Sequence, residues 1–276
     1  MRIREIQETD LSAVLQLLIV GFPKKTPVYW AHVLSVLAAR PRCGGLPVFG
    51  LALEIEGALQ GLMLMISGQK NGDRFCNLSS WYVRPEYRKF SPFLFQRALR
   101  PKDVSFTDCS PAPHVLPIIT KFGFCPYSCG TLLIDPRASL RSSAPIRNIR
   151  TTLPEQIAPD LRITIESHLS YGCRGFLIEG QRQCPMPVLY RTTRLKRAVP
   201  SARIVYGDPD IIIANAGGLM RKLMRRGIML MLIDLPCGSN PTLGRIFPEY
   251  EVRYVRGPNI PDVGDLLDTE VSVFGL

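Results

Sequence analysis

Between Trp81 and Phe95 the sequence WYVRPEYRKFSPFLF leaves an apolar strand pattern, turns through Pro85 and enters a helix at Ser91. Arg88 and Lys89 stand immediately before that helix start. Unpaired N–H groups at a helix N-terminus and the positive end of its dipole attract an anion. A pyrophosphate placed there would meet backbone donors and two cations together. Ser91–Pro92 itself reads as a start signal: Ser accepts at the N-cap, and Pro gives up no needed N–H at the first helical position. Further along, His114 offers a group whose ordinary pKa suits proton transfer at neutral pH.

Val83, Pro85, Tyr87 and Arg88 match the first half of the pattern V-x-P-x-x-[RQ]-x-x-G-x-[GA]. In this the segment resembles the pyrophosphate loop of the GCN5-related N-acetyltransferase (GNAT) superfamily. The opening IREIQETDLSAVLQLL resembles that family's first strand and helix, and KFGF at 121–124 resembles the ending of its last helix. The likeness covers about the first 135 residues, with no comparable motif beyond them.

The resemblance implies an acyl-CoA N-acyltransferase fold, with acetyl-CoA or a longer acyl-CoA as cosubstrate and a small-molecule amine as acceptor. Tyr82 and Val83 would pair with pantetheine in strand fashion. Arg88, Lys89, Phe90, Ser91 and Phe93 would surround the pyrophosphate. Attack of an amine on a thioester needs the two held together, a base for the ammonium and an acid for the leaving thiolate. His114 would lie beside the thioester, Glu54 on a strand facing the amine, and Tyr127 within reach as a donor. The family's loop glycines fall on Ser91 and Phe93, its usual tyrosine acid on Ile119 and its helix asparagine on Ala112. Two other readings therefore stand beside the acetyltransferase: a non-catalytic tandem-GNAT binding protein, and an aminoacyl-tRNA-dependent transferase.

Several elements must position these residues. Residues 2–5 alternate as a short strand, and 11–19 and 27–39 carry helical apolar spacing. Two strands, 48–55 and 59–67, meet at Glu56–Gly57, a hairpin signal. Asn71–Gly72–Asp73 turns the chain into a strand at 75–83. A helix over 93–99, a strand at 104–107, a helix at 113–122 and a final strand at 124–134 follow.

Residues 136–150 are rich in Ser, Arg and Pro without periodicity and read as a linker. Beyond them a similar order returns. Thr152-x-x-Glu155 is a capping-box pattern opening a helical stretch to about Ser170. Strands are expected at 176–179, 188–192, 203–206, 228–233, 252–255 and 270–274, with helices at 211–226 and 242–247. Asp208 and Asp210 suit helix caps and would repel a pyrophosphate. Gly217–Gly218 inside a strong helical pattern points to a backbone packed closely against it. The resulting expectation is α/β: mixed sheets flanked by helices in two GNAT-like domains, 1–135 and a degenerate 151–276.

The chain of 276 residues is 46% hydrophobic and 21% charged, enough to bury a core. No apolar run approaches the ~20 residues of a membrane span, and the charged opening MRIREIQETD carries no signal peptide. A cytoplasmic protein without a membrane partner is expected, and a homodimer is compatible with it. Eight scattered cysteines include no Cys-x-x-Cys, so reduced thiols and no metal are expected. The net charge of +11 includes clusters at Arg191–Arg197 and Arg221–Arg226 that read as solvated faces. A polyanionic cofactor fits that charge, and a nucleic-acid partner is not expected.

Overall fold

The computed structural model describes residues 1–70, 72–149, 153–179, 184–196 and 198–275. Asn71 of the expected turn, Thr152 of the capping box and Arg197 of the first basic cluster lie outside them. The chain divides into two compact units: residues 1–125 with 255–260 and 268–270, and residues 126–254 with 261–267 and 271–276.

The first unit runs β1 (Arg2–Glu5), α1 (Leu11–Gly21), α2 (Pro27–Ala38), β2 (Gly50–Ile55), β3 (Ala58–Lys70), β4 (Asp73–Val83), α3 (Ser91–Ala98), β5 (Val104–Asp108), α4 (Leu116–Lys121) and β6 (Cys125–Pro126). Its sheet has the order β1-β2-β3-β4-β5-β14-β6, in which β14 (Tyr254–Arg256) comes from far along the chain. The strands β1 to β4 pair antiparallel, and β5 pairs parallel with β4. Glu56 and Gly57 both adopt positive φ, 52° and 77°. That is the turn whose twist matches a hairpin, and it sets Ile55 opposite Ala58. Thr26 caps α2 by accepting from the Tyr29 N–H at 3.2 Å, with Pro27 at the first helical position. Trp30, Leu53, Leu62, Phe95 and Phe106 fill the core between sheet and helices.

The second unit runs β7 (Thr131–Ile134), β8 (Ile146–Asn148), α5 (Pro159–Ser170), β9 (Arg174–Ile178), β10 (Met186–Leu195), β11 (Val199–Tyr206), α6 (Pro209–Ala214), α7 (Ala216–Met224), β12 (Leu230–Asp234) and β13 (Arg245–Phe247), with α8 (Glu270–Val273) near the C-terminus. Its sheet order is β13-β7-β12-β11-β10-β9-β8. Here too antiparallel strands lead to one parallel pair, β11 with β12. Each unit is thus a mixed sheet flanked by helices.

The structure departs from the sequence reading at several points. The strand expected over 124–134 is broken: β6 joins the first sheet and β7 the second. Gly130 turns the chain between them at φ 101°, and a side chain there would strike the Phe247 carbonyl. The stretch 136–150, read as a linker, holds in its described residues 136–149 a 3-10 turn at Pro136–Leu140 and β8, which pairs with β9. The helix expected over 211–226 is two helices parted at Asn215, whose side chain accepts from the Ala144 N–H at 2.9 Å and donates to the Ile211 carbonyl. Residues 242–247 end in strand β13, paired with β7, and 270–274 begin as helix α8, too short a run for periodicity to decide. Cys129 and Cys237 form a disulfide, against the expectation of reduced thiols.

Candidate functional site

The parallel pair β4 and β5 is in register from Arg74 opposite Val104 to Asn77 opposite Thr107, and there it parts. The buried Asn77 side chain lies across the parting. Its Nδ2 donates to the Thr107 carbonyl and hydroxyl, both at 3.2 Å, and its Oδ1 accepts from the Glu270 N–H at 2.9 Å. The Glu270 carboxylate, itself buried, accepts from the Ser110 hydroxyl just past β5. Beyond this point β4 runs on to Val83 without a β5 partner among the described residues. Two of its residues, Ser80 and Trp81, stand opposite the single Met63 of β3, and Ser80 takes a φ of 50°. Such a bulge bends the strand and raises its twist. The outcome is a β4 edge, residues 78–83, with no β5 partner among the described residues.

Aromatic packing fixes both faces of that strand. Trp81 stacks on Phe95 of α3 with centroids 4.8 Å apart, and Phe95 meets Phe122 edge-on at 4.9 Å. Tyr82 lies against α1, where a Cβ on Gly21 would come within 2.5 Å of its ring. Phe22 touches Tyr82 at 6.4 Å and Trp30 at 5.4 Å. Lys25 sits over the Tyr29 ring at 4.5 Å, and burial holds its ammonium below the usual lysine range.

The entry to α3 differs from the expected cap. Pro85–Phe90 form a 3-10 turn that runs straight into the helix, so Ser91 is a helical residue and Phe90 the N-cap, without a side-chain cap. The Ser91 N–H already donates to the Arg88 carbonyl. A chain arriving helical lacks the extended N-cap backbone from which a hydroxyl accepts. Arg88 and Lys89 are exposed, Lys89 over the Phe90 ring at 5.1 Å. Phe93 is 52% exposed and points outward from α3. Val83 is buried and pairs with Gly61.

The three acid-base candidates are spread out. His114 is exposed in the turn before α4. Glu54 sits on β2, three strand positions from β5, or about 14 Å at the usual spacing. It is paired with Arg4 at 2.5 Å, and Arg4 also holds Asp10 at 2.6 Å. That hydrogen bond from Arg4 keeps the Asp10 carboxyl below the usual carboxylate range. Tyr127 belongs to the second unit, buried, with its N–H on the Arg253 carbonyl at 2.9 Å. Ile119 is fully buried, and Ala112 half-buried.

The second unit repeats the parallel pair but not the free strand edge. β11 and β12 are in register to Arg203 opposite Leu232. Past it, the chain's own residues 264–266 lie along β11. The Leu266 N–H donates to the Val205 carbonyl at 2.8 Å, the Gly207 N–H to the Gly264 carbonyl at 3.1 Å, and Tyr206 forms an antiparallel bridge with Asp265. Burial, with Asp265 and Asp262 adding to it, pushes the Tyr206 hydroxyl up to about 12.

Both units carry a bulge just past the parallel pair, at Ser80–Trp81 of β4 and at Val205 of β11. The sequence matches no family model and no curated protein. Solved structures do match. A GCN5-related N-acetyltransferase from Anabaena variabilis superposes with a TM-score of 0.61 at 11% identity, over 92% of this chain and 72% of that one. A putative acetyltransferase from Pyrococcus horikoshii gives 0.59 at 12% identity, over 97% and 92%. A tandem GNAT protein from the clavulanic acid biosynthesis pathway gives 0.55 at 12%, over 94% and 99%. The fold is a tandem GNAT fold. At these identities the likeness fixes architecture and leaves the chemistry to this chain's own residues.

Sequence reasoning missed Asn77, the Ser110–Glu270 contact and the strand-like segment 264–266. Asn77 had a signal, being a polar residue inside the apolar strand FCNLSS, where burial demands partners. It also missed a buried ion network in the second unit. Arg203 and Arg253 both contact Asp234, and Glu251 pairs with both arginines at 3.1 Å. Among the described residues no group of three or more His, Cys, Asp and Glu is placed to hold a metal ion. No described helix is long and apolar enough to cross a membrane.

Proposed function

We propose that the chain is an acyl-CoA-dependent N-acyltransferase that works from one cofactor cleft, in the first unit, on a small-molecule amine. The parting of β4 and β5 past Asn77 and Thr107 carries this reading. It leaves β4 residues 78–83 with a free edge, against which a pantetheine arm with its two amides can pair as an added strand would. Arg88 and Lys89 follow that edge directly and would meet the cofactor's phosphates. With Ser91 already bonded within the chain, these side chains carry more of that contact than backbone donors do. In the reaction the amine nitrogen attacks the thioester carbonyl, an amide bond forms, the C–S bond breaks and the thiolate takes a proton. His114, open to solvent, is the group for proton exchange, ahead of the ion-paired Glu54.

A second reading has its own support. Ile119 fills the position of the usual acid, and Glu54 is neutralised by Arg4. A protein that binds acyl-CoA without turning it over would show both features.

Calorimetric titration with acetyl-CoA and a long-chain acyl-CoA, followed by thiol release with a panel of amines, separates the two. Binding weakened about tenfold by Arg88→Ala, the loss of one charge-assisted contact, together with thiol release, supports the enzyme. Binding without release on any amine supports the second reading. Absence of binding to either cofactor sinks both.

A further inference from the structure

The second basic cluster, Arg221, Lys222, Arg225 and Arg226, lies on α7 and the turn after it, in the second unit. Arg226 is accounted for by packing: its guanidinium lies 4.8 Å above the Phe176 ring and donates to the Tyr190 hydroxyl. The other three line a cavity of about 260 Å³, together with Ser143, Ala144, Pro145, Ile146 and Gly218. No carboxylate is among its lining residues.

The cavity is built by the glycine pair. A side chain on Gly217 would strike the Arg141 carbonyl, and one on Gly218 the Ser143 hydroxyl, so only glycine lets residues 138–146 lie against α7. Arg221 clamps that segment, donating to the Ser139 carbonyl at 2.5 Å, the Arg141 carbonyl at 2.9 Å and the Ser143 hydroxyl at 3.1 Å. The side chains of Lys222 and Arg225 make no hydrogen bond or ion pair among the described residues. Residues three and four positions apart on a helix are neighbours, so like charges at that spacing oppose each other. Arg221 with Arg225, and Lys222 with Arg225, have this spacing and no acid between them. The end of the helix dipole favours cations there, but it does not gather them around a concave, hydroxyl-bearing wall.

We infer that this cavity binds the phosphoryl end of a small phosphorylated ligand. Lys222 and Arg225 would supply the charge, the Ser143 hydroxyl a further contact, and Arg221 the fixed wall. The volume falls just below the roughly 300–1,000 Å³ of whole-ligand sites. It therefore suits a phosphate or pyrophosphate group whose attached moiety extends into solvent. This site is independent of the acyl-CoA reading, which concerns the other unit.

Inorganic pyrophosphate is the probe, titrated by calorimetry into wild type, Lys222→Ala/Arg225→Ala and the exposed-lysine control Lys102→Ala, with sulfate at matched ionic strength as a second control. Binding that is at least tenfold weaker in the double variant, unchanged in Lys102→Ala and not reproduced by sulfate supports the site. Unchanged affinity in the double variant, or an equal loss in Lys102→Ala, overturns it. Equal response to sulfate overturns it as well, showing general anion attraction. Lys222→Gln/Arg225→Gln, with its melting curve, provides the same readings should the alanine variant fail to fold.

Discussion

Asn77 joins the two strands of the first unit at the point where they separate, through its Nδ2 to the Thr107 carbonyl and hydroxyl at 3.2 Å. It is 1% exposed, so its amide has been traded from water for these partners. Asn77→Ala removes the bridge and with it the Asn77 acceptor of the Glu270 N–H. The expected loss is about 1–3 kcal/mol in urea unfolding, with weaker acyl-CoA binding because the cleft's apex loosens. A loss below about 0.5 kcal/mol, the range of ordinary surface changes, would count against this role.

Asp234 stands between two buried guanidiniums, Arg203 and Arg253. Burial lowers the pKa of Arg203, the Asp234 charge acting against it. Asp234→Asn keeps the shape and removes the charge both arginines rely on. Breaking a buried pair from one side costs about 3–5 kcal/mol, enough to unfold a typical domain at modest urea. Circular dichroism against urea measures it.

The Cys129–Cys237 bridge closes a sequence separation of 108 residues. In the chain-entropy account such a loop contributes about 2–5 kcal/mol, through the unfolded state. Reduction, or Cys129→Ser, should lower the midpoint of thermal unfolding, and mass spectrometry of the unreduced protein should find the pair. Equal midpoints with and without reductant would leave the bridge no stabilising part.

Lys25 supplies a pH signature. Its pKa is lowered by burial in the fold, so between that value and the usual lysine range the unfolded chain holds more protons. Stability then rises with pH through this window. Lys25→Met should flatten that rise in urea titrations as the pH approaches the ordinary lysine pKa of about 10.4. An unchanged slope would place its origin elsewhere.

Cofactor stoichiometry tests the difference between the two parallel pairs. Because residues 264–266 already pair along β11, calorimetry should find one acyl-CoA bound per chain. Two equivalent sites would show that this segment gives way to ligand.

Much of the scaffold was legible in the sequence. The hairpin at Glu56–Gly57 was readable because the turn demands positive φ from its two central residues. The Gly217–Gly218 pair was readable because a glycine inside a helix needs a close neighbour. What escaped were features set by residues distant in sequence. Asn77 gains its role only from Thr107 and Glu270, and Asp234 only from Arg203 and Arg253. The split of 124–134 between two sheets was hidden since both pieces have strand character, and pairing partners alone separate them. At the site, the order of strand, turn and helix from Val83 to Ser91 was visible. The 3-10 geometry of Pro85–Phe90 was not, because Ser-Pro fits the first helical positions as well as a cap.

The place of β14 between β5 and β6 has a consequence for synthesis on the ribosome. The N-terminal portion up to Cys125 emerges with the outer side of β5 uncovered, and its missing neighbour begins only at Tyr254. At about 5–20 residues per second the interval lasts roughly 6–26 s. Over that time an unpaired strand edge is a template for pairing with other nascent chains. The first sheet thus waits until Tyr254–Arg256 have been made before it can close, and chaperone demand should fall within that interval.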